Sequence, residues 1–229
     1  MMFKTISFGA ILFGGSLAMM PAFAQKADRS EVSVQALGSF VKTTTDNGGA
    51  PAGWQIKTNH GRPAISTCTD GDIACVHLKS VNSSFGLERA VDINPAEMPY
   101  LSWRWKVSQL PDGGDFRHAA SDDQAAQVLV VFADRRVLTY IWDTTAPKGT
   151  MASVSSIPLL HVFAVVCQSG TADLNRWITE SRNVAGDYER AYLRAAPHVK
   201  GVRLQVNSQH TGSAAESYFG EVAFHSTPR

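Results

Sequence analysis

Seven residues constrain the fold more than any other stretch: Leu101-Ser102-Trp103-Arg104-Trp105-Lys106-Val107. Leu, Trp, Trp and Val alternate strictly with Ser, Arg and Lys. A period of two places the first set on one face of a β-strand and the second set on the other. A strand with one aromatic and one cationic face needs another layer to cover the first. Two tryptophans on one strand face are usually core; the other placement, an aromatic platform on an open face, stays open at this point.

The first 24 residues read as a cleavable leader. Lys4 supplies the positive start, Ile6 to Met20 is an apolar run, and Ala22-Phe23-Ala24 is an A-x-A cleavage site before Gln25. No cysteine stands at the cleavage point to carry a lipid anchor, and no later segment holds the ~18 consecutive apolar residues of a membrane helix. The expectation is an exported chain, cleaved after Ala24 and not inserted in a membrane, with the periplasm or the outside medium as its address. Residues 25–229 are expected to form a single β-sandwich domain, a length that one all-β domain accommodates. Of the 21 basic residues only Lys4 belongs to the leader, so the mature chain balances 20 positive against 20 negative side chains. That balance, without a polybasic run, excludes an electrostatic footprint for nucleic acid.

Cysteine usage agrees with export. Cys68 and Cys75 flank Thr-Asp-Gly-Asp-Ile-Ala, a turn-rich loop whose strand ends come close enough for a disulfide. Cys167 ends the apolar run Leu160-His-Val-Phe-Ala-Val-Val-Cys and is expected to be buried and inert.

Along the chain, short strand signals recur between turn residues. They cover Glu31–Phe40, Arg62–Cys68, Cys75–Val81, Phe85–Ile93, Leu101–Val107, Gln127–Ala133 and Val137–Asp143. Further on come His161–Gln168, Ile178–Val184, Val199–Val206 and Ser217–His225. Val128-Leu-Val-Val-Phe-Ala is apolar throughout, which predicts a central strand covered on both faces. Arg135-Arg136 is the predicted turn to its partner Val137–Trp142. One helix is predicted, Asp187–Arg194, with Asp187 as N-cap and Pro197 beyond its end. A weak turn is expected over Asp122–Ala126. Strands do not alternate with long helices, so a parallel sheet is not expected. The predicted fold is all-β: a two-sheet antiparallel β-sandwich of jelly-roll or galactose-binding type with one short helix.

Several motifs, in this order, resemble a bacterial exported family catalogued as domain of unknown function 3047. They are Leu101–Val107, Pro111-Asp-Gly-Gly-Asp-Phe-Arg, Asp122-Asp123-Gln-Ala-Ala-Gln-Val and the hairpin ending in Tyr140-Ile-Trp142. Glu180-Ser-Arg182-Asn183-Val, Asp187-Tyr188, Val199-Lys-Gly-Val-Arg-Leu and Tyr218-Phe-Gly-Glu-Val-Ala-Phe follow. The resemblance spans roughly Gly53 to Phe224. It implies a fold similar to carbohydrate-binding jelly rolls and no established activity. The chain departs from the pattern before its last strand. Where the family has an Asp-rich turn ending in Asn-Thr, this chain has Asn207-Ser-Gln-His210-Thr-Gly212; near the helix, Tyr192-Leu193 replaces the family's Phe-Gly.

The candidate ligand contacts are Arg104, Asp122, Asp123, Trp142, Arg182, Asn183, Asp187, Asn207 and His210. A guanidinium opposite two core tryptophans suits a carboxylate or adjacent hydroxyls; the alternative for Arg104 is an ion pair with Asp122, Asp123 or Asp187. Adjacent Asp122 and Asp123 lack an EF-type calcium spacing and make a poor acid/base pair; an N-cap role for the Gln124-Ala-Ala turn is the alternative. Arg182 and Asp187 pair structurally or, with Asn183, meet a sugar hydroxyl. The seven histidines form no metal signature, and no nucleophile elbow, P-loop or dinucleotide glycine pattern is present. No catalytic residue or metal ligand is assigned, and the cofactor is left open. The leading expectation is a non-catalytic binder of a glycan or small polar ligand. The alternatives are a polysaccharide lyase or hydrolase that recruits Tyr140, His210 and Arg104, and a structural envelope protein.

Overall fold

Thirteen strands, one α-helix and a short 3-10 turn make up the described part of the chain: residues 32–38, 40, 50–154 and 161–229 of a computed structural model. The predicted leader lies outside the described residues. So does the span 155–160.

The first sheet contains β1 (Val34–Ala36), β3 (Ile65–Asp70), β4 (Ile73–Val81), β6 (Tyr100–Gln109), β11 (Ile178–Asn183) and β13 (Ala214–His225). Its order is β11-β6-β13-β4-β3, and β1 pairs with the far end of β13. The second sheet contains β2 (Gln55–His60), β5 (Ser84–Ile93), β7 (Ala126–Phe132) and β8 (Val137–Asp143). It is completed by β9 (Met151–Val154), β10 (Val162–Ser169) and β12 (Val199–Asn207), in the order β2-β5-β12-β7-β8-β10-β9. This is the expected two-sheet, jelly-roll-like sandwich.

The aromatic face of β6 closes it. Trp103 and Trp105 are 1% and 0% exposed, and they reach across to β8. Their rings stand 5.3 Å apart, edge to face; Trp103 lies 5.2 Å from Tyr140 and Trp105 lies 6.0 Å from Trp142. Four large rings thus bridge the layers, with Leu204, Val128, Phe219 and Phe224 around them. Arg104 and Lys106 face away from this core.

Cys68 and Cys75 are opposite each other in the β3–β4 hairpin and form a disulfide, with Cα atoms 5.0 Å apart. The β7–β8 hairpin is central, as expected, and Arg135 adopts a left-handed φ of 66° in its turn.

The structure departs from the sequence reading in four places. β8 and β10 pair in parallel, Val162 opposite Val137, so the second sheet is mixed rather than wholly antiparallel. The chain from Thr144 to His161 provides the crossover that a parallel pair requires, and β9, which it contains, hydrogen-bonds antiparallel to β10 as an edge strand. The helix α1 runs Val184–Tyr192, three residues earlier than predicted. Its N-cap is Asn183, whose Oδ1 accepts from the Gly186 N–H at 2.9 Å, because Asp187 is turned inward. The expected turn over Asp122–Ala126 is instead a 3-10 turn at Ala119–Ser121. Finally, β2 and β9 are strands that no alternation announced.

Replacing Trp103 or Trp105 with alanine is expected to cost about 3–5 kcal/mol in urea denaturation, from lost burial and the cavity left behind. Arg104→Ala is expected to stay within ~1 kcal/mol. The Cys68→Ser/Cys75→Ser pair is expected to cost about 2–3 kcal/mol, the chain-entropy value for so short a loop.

Candidate functional site

A strand that faces the core on one side offers its alternate residues to the other side. On the second sheet these outward residues form the floor of a cleft of about 660 Å³. β12 contributes Arg203, Gln205 and Asn207, while Val202, Leu204 and Val206 point into the core. β7 contributes Gln127, Leu129 and Val131; β8 contributes Val137, Thr139 and Ile141; β10 contributes Val162 and Ala164. Ser84 and Glu88 of β5 and Asn59 of β2 complete one end.

The floor has two halves. Over β2, β5, β12 and the start of β7 it is a network of amides. Gln127 Nε2 donates to Asn207 Oδ1 at 2.5 Å, and Gln205 Nε2 donates to Gln127 Oε1 at 3.3 Å. Asn59 Nδ2 donates to Ser84 Oγ at 3.1 Å and to Gln205 Oε1 at 3.3 Å. Arg203 donates to Glu88 Oε2 through Nε and Nη2, at 3.1 and 2.6 Å, and its Nη1 lies 3.4 Å from Gln205 Oε1. Gly86 lies opposite Gln205, where a Cβ would stand 2.3 Å from the Leu204 carbonyl oxygen. Glycine there permits the close approach of β5 and β12. Over β8 and β10 the floor is aliphatic. Thr139 is 5% exposed, and its hydroxyl has no hydrogen-bond partner among the described residues.

The rim is tied to the floor. Asn207 Oδ1 also accepts the Gln124 backbone N–H at 2.8 Å, and Asn207 Nδ2 donates to the Asp122 carbonyl at 2.7 Å. Asp122 accepts from Gln124 Nε2 at 2.9 Å. Asp123 is fully buried and caps the next loop, accepting the Thr211 N–H at 2.7 Å and the Thr211 hydroxyl at 2.9 Å. His210 Nδ1 lies 3.0 Å from the Asp122 carbonyl, 3.3 Å from Asp123 Oδ1 and 3.1 Å from Gln209 Nε2. At the aliphatic end, Phe116 is held by its N–H to Asp143 Oδ2 at 3.0 Å. Neighbouring Asp115 is clamped by Arg117 at 2.8 and 2.6 Å, which holds its carboxyl well below the usual carboxylate range.

Of the residues singled out by sequence, the cleft therefore brings together Asp122, Asn207 and His210, with Asp123 just beneath the rim. The others lie elsewhere. Arg182 and Asp187 form a bidentate pair between the sheets, at 3.0 and 2.9 Å. Tyr140 donates its hydroxyl to Asp187 at 3.0 Å, and the Arg182 guanidinium lies 5.6 Å over the Tyr140 ring. Burial pushes the Tyr140 hydroxyl well up. Asn183 caps α1. Trp142 is buried, and its Nε1 donates to the Gly170 carbonyl at 3.1 Å. Arg104 stands on the outer face of the first sheet, 5.9 Å over Trp177, away from Asp122 and Asp123; Asp187 is taken by Arg182. Cys167 is buried, and burial pushes its thiol up. Among the described residues, no three His, Cys, Asp or Glu side chains group so as to hold a metal ion.

Sequence reading missed Asn59, Ser84, Glu88, Gln127, Arg203 and Gln205. Arg203-Leu-Gln205-Val-Asn207 alternates as strictly as β6 does, and that pattern was the available signal.

Beside the interlayer pair, Glu180 accepts from Gln168 Nε2 at 2.7 Å, and Gln168 Oε1 accepts from Lys148 Nζ at 3.2 Å. Burial raises the Glu180 carboxyl above its ordinary value of 4.5. The folded chain then holds a proton that the unfolded chain has released, so this group's contribution falls as pH rises from 4.5 through the raised pKa. The stability difference between wild type and Glu180→Gln, followed by urea denaturation from pH 4 to 8, is expected to shift toward the variant across that window. A flat difference would contradict the assignment.

The chain matches the model of a family described as "Protein of unknown function (DUF3047)" over residues 52–223. No curated protein matches it. Among solved structures it is similar to the xyloglucanase domain of NopAA, a type three effector from Sinorhizobium fredii, in complex with cellobiose. That likeness has 10% identity, covers 82% of this chain and 100% of that one, and has a TM-score of 0.49. It is also similar to endoglucanase Cel12A from Rhodothermus marinus (7% identity, 79% and 95% covered, TM-score 0.45). A third is a family 29 carbohydrate-binding module complexed with cellulohexaose (9% identity, 85% and 92% covered, TM-score 0.40).

Proposed function

We propose that this chain, which belongs to the DUF3047 family, is an exported protein that binds a glycan or small polar ligand in the cleft of its second sheet without turning it over. The observation that carries this reading is the amide floor. Gln205 sits in contacts of 3.3–3.4 Å on every side, with both its carbonyl and its NH₂ engaged only at the long end of the hydrogen-bond range. Such a group exchanges its partners for a ligand's hydroxyls at little cost. Asn59, Ser84 and the Nε2 of His210 surround it with further donors and acceptors, the inventory that adjacent sugar hydroxyls match.

The carboxylates argue for binding over hydrolysis. Glycoside hydrolysis uses two carboxyl groups flanking the scissile bond. The cleft-lining residues that are described include two, Glu88 and Asp122. Glu88 is held by Arg203 and by Lys57 at 3.7 Å, and Asp122 accepts from Gln124. A lyase needs a base beside a group that neutralises a uronate. Tyr140 is in the core, Arg104 is on the other sheet and His210 is at the rim.

Export follows from the leader, and the Cys68–Cys75 disulfide suits an oxidising compartment. No described helix is long and apolar enough to cross a membrane.

Calorimetry of the mature protein against cello-, xylo- and chito-oligosaccharides tests the reading. A saccharide is expected to bind, and Gln205→Ala is expected to weaken it about tenfold, the worth of one good hydrogen bond to a ligand. Arg104→Ala is expected to leave binding unchanged. Retention of full affinity in Gln205→Ala, or release of a cleaved product from the panel, would refute it.

A further inference from the structure

The cleft has an aliphatic half that a sugar does not explain. Outward positions of a sheet whose other face is packed are ordinarily polar. Here, next to the amides, they are Leu129 and Val131 of β7, Val137 and Ile141 of β8, and Val162 and Ala164 of β10. Ile141 and Ala164 are sealed in a small cluster with Phe116, Ala146 and Val166, whereas Leu129 and Val131 are half-buried and face the cavity itself. From β7 to the edge strand β9 this floor crosses three strand spacings, about 14 Å. Both halves belong to one cavity of about 660 Å³, a size for a small molecule rather than a protein segment.

At the junction stands Thr139. It lies between Leu129 and Ala164 in the sheet, one pair along from Gln127 opposite Ile141. Its hydroxyl is nine-tenths buried and lacks a partner among the described residues. A buried hydroxyl left unpaired is costly, so its position calls for an acceptor supplied by whatever fills the cleft.

We infer that the ligand is an amphiphile: a saccharide bearing a medium-length acyl chain. The sugar rests on the amides around Gln205, the chain lies along Leu129 and Val131, and the acyl carbonyl accepts from Thr139. The inference deepens the reading given under Proposed function and rests on it for the headgroup.

The test uses the mature protein and two series with one headgroup: n-alkyl β-glucosides from methyl to octyl, and glucose 6-O-acyl esters from acetyl to octanoyl. All are titrated below their micellar concentrations. Affinity is expected to rise about fourfold per added methylene in both series, the hydrophobic increment for a fully buried CH₂. Leu129→Gln is expected to flatten that slope. Thr139→Val, which keeps the side-chain shape, is expected to weaken the esters about tenfold and leave the ethers as they were. Saccharide binding with no gain from chain length overturns this inference and leaves the glycan reading standing. Equal binding of octyl glucoside and 1-octanol overturns the glycan reading and leaves the apolar half standing. Loss of both series alike in Thr139→Val overturns the carbonyl contact.

Discussion

The layer contact made by Trp103, Trp105, Tyr140 and Trp142 sets everything else. Once the two tryptophans of β6 are buried against β8, the side to which every other residue of both strands points is settled by alternation. Slipping β6 by one residue would place Arg104 and Lys106 in the core, where an unpaired cation is prohibitively unfavourable. The register is therefore fixed by the largest rings and the most expensive charges at once. With β8 oriented this way, Thr139 and Ile141 must face outward, and β7 and β12, paired beside it, must present Gln127, Leu129, Gln205 and Asn207 on the same side. The cleft is the reverse side of the aromatic seam.

A floor made from strand residues is stiff, because each side chain is anchored on a backbone bonded on both sides. The rim is made of loops, and three interactions tie it down. Asn207 holds the 122–124 segment with both ends of its amide, Asp123 caps the 210–213 loop, and the Asp115–Arg117 clamp with Asp143 fixes Phe116. Asp122 and Asp123 thus act in different ways despite being neighbours. One lines the cavity and the other is buried beneath it, because the chain turns tightly at Asp122 (φ −71°, ψ 64°), where the Asp123 N–H donates back to the Ser121 carbonyl at 2.7 Å.

The parts of the fold legible in the sequence are those where one face is uniformly apolar. β6, the β7–β8 hairpin and the disulfide hairpin all announce themselves by alternation, by an unbroken apolar run, or by cysteines around a turn. β2 and β9 do not. They are edge strands, Gln-Ile-Lys-Thr-Asn-His and Met-Ala-Ser-Val, with no fully buried residue to impose a pattern. The parallel pairing of β8 with β10 was equally hidden, since pairing direction depends on the path of a crossover and not on either strand's residues. The unbroken run of β7 was read as a strand covered on both faces. Its outward residues are apolar because they floor a cavity, a situation that produces the same sequence. At the site, charge drew attention to Arg104 and to Arg182 with Asp187, whereas the cleft is built mainly from neutral amides, which carry no such signal.

The state of each hydrogen bond separates these two classes of polar group. The Arg182–Asp187–Tyr140 cluster is saturated: two donors of the guanidinium and the phenol converge on one buried carboxylate at 2.9–3.0 Å. Breaking it to receive a ligand would strand a charge away from water, at a cost of several kcal/mol. On the far face Lys106 is paired with Asp70 and lies over the rings of Trp177 and Tyr218, and Arg104 lies 5.9 Å over Trp177. Gln205 differs. It is neutral and its contacts are long, which is what the proposed exchange with a ligand rests on. The saturated Arg182–Asp187–Tyr140 cluster therefore ties the layers together, whereas the long contacts of Gln205, on the back of the aromatic seam, are the ones on which the proposed binding reading rests.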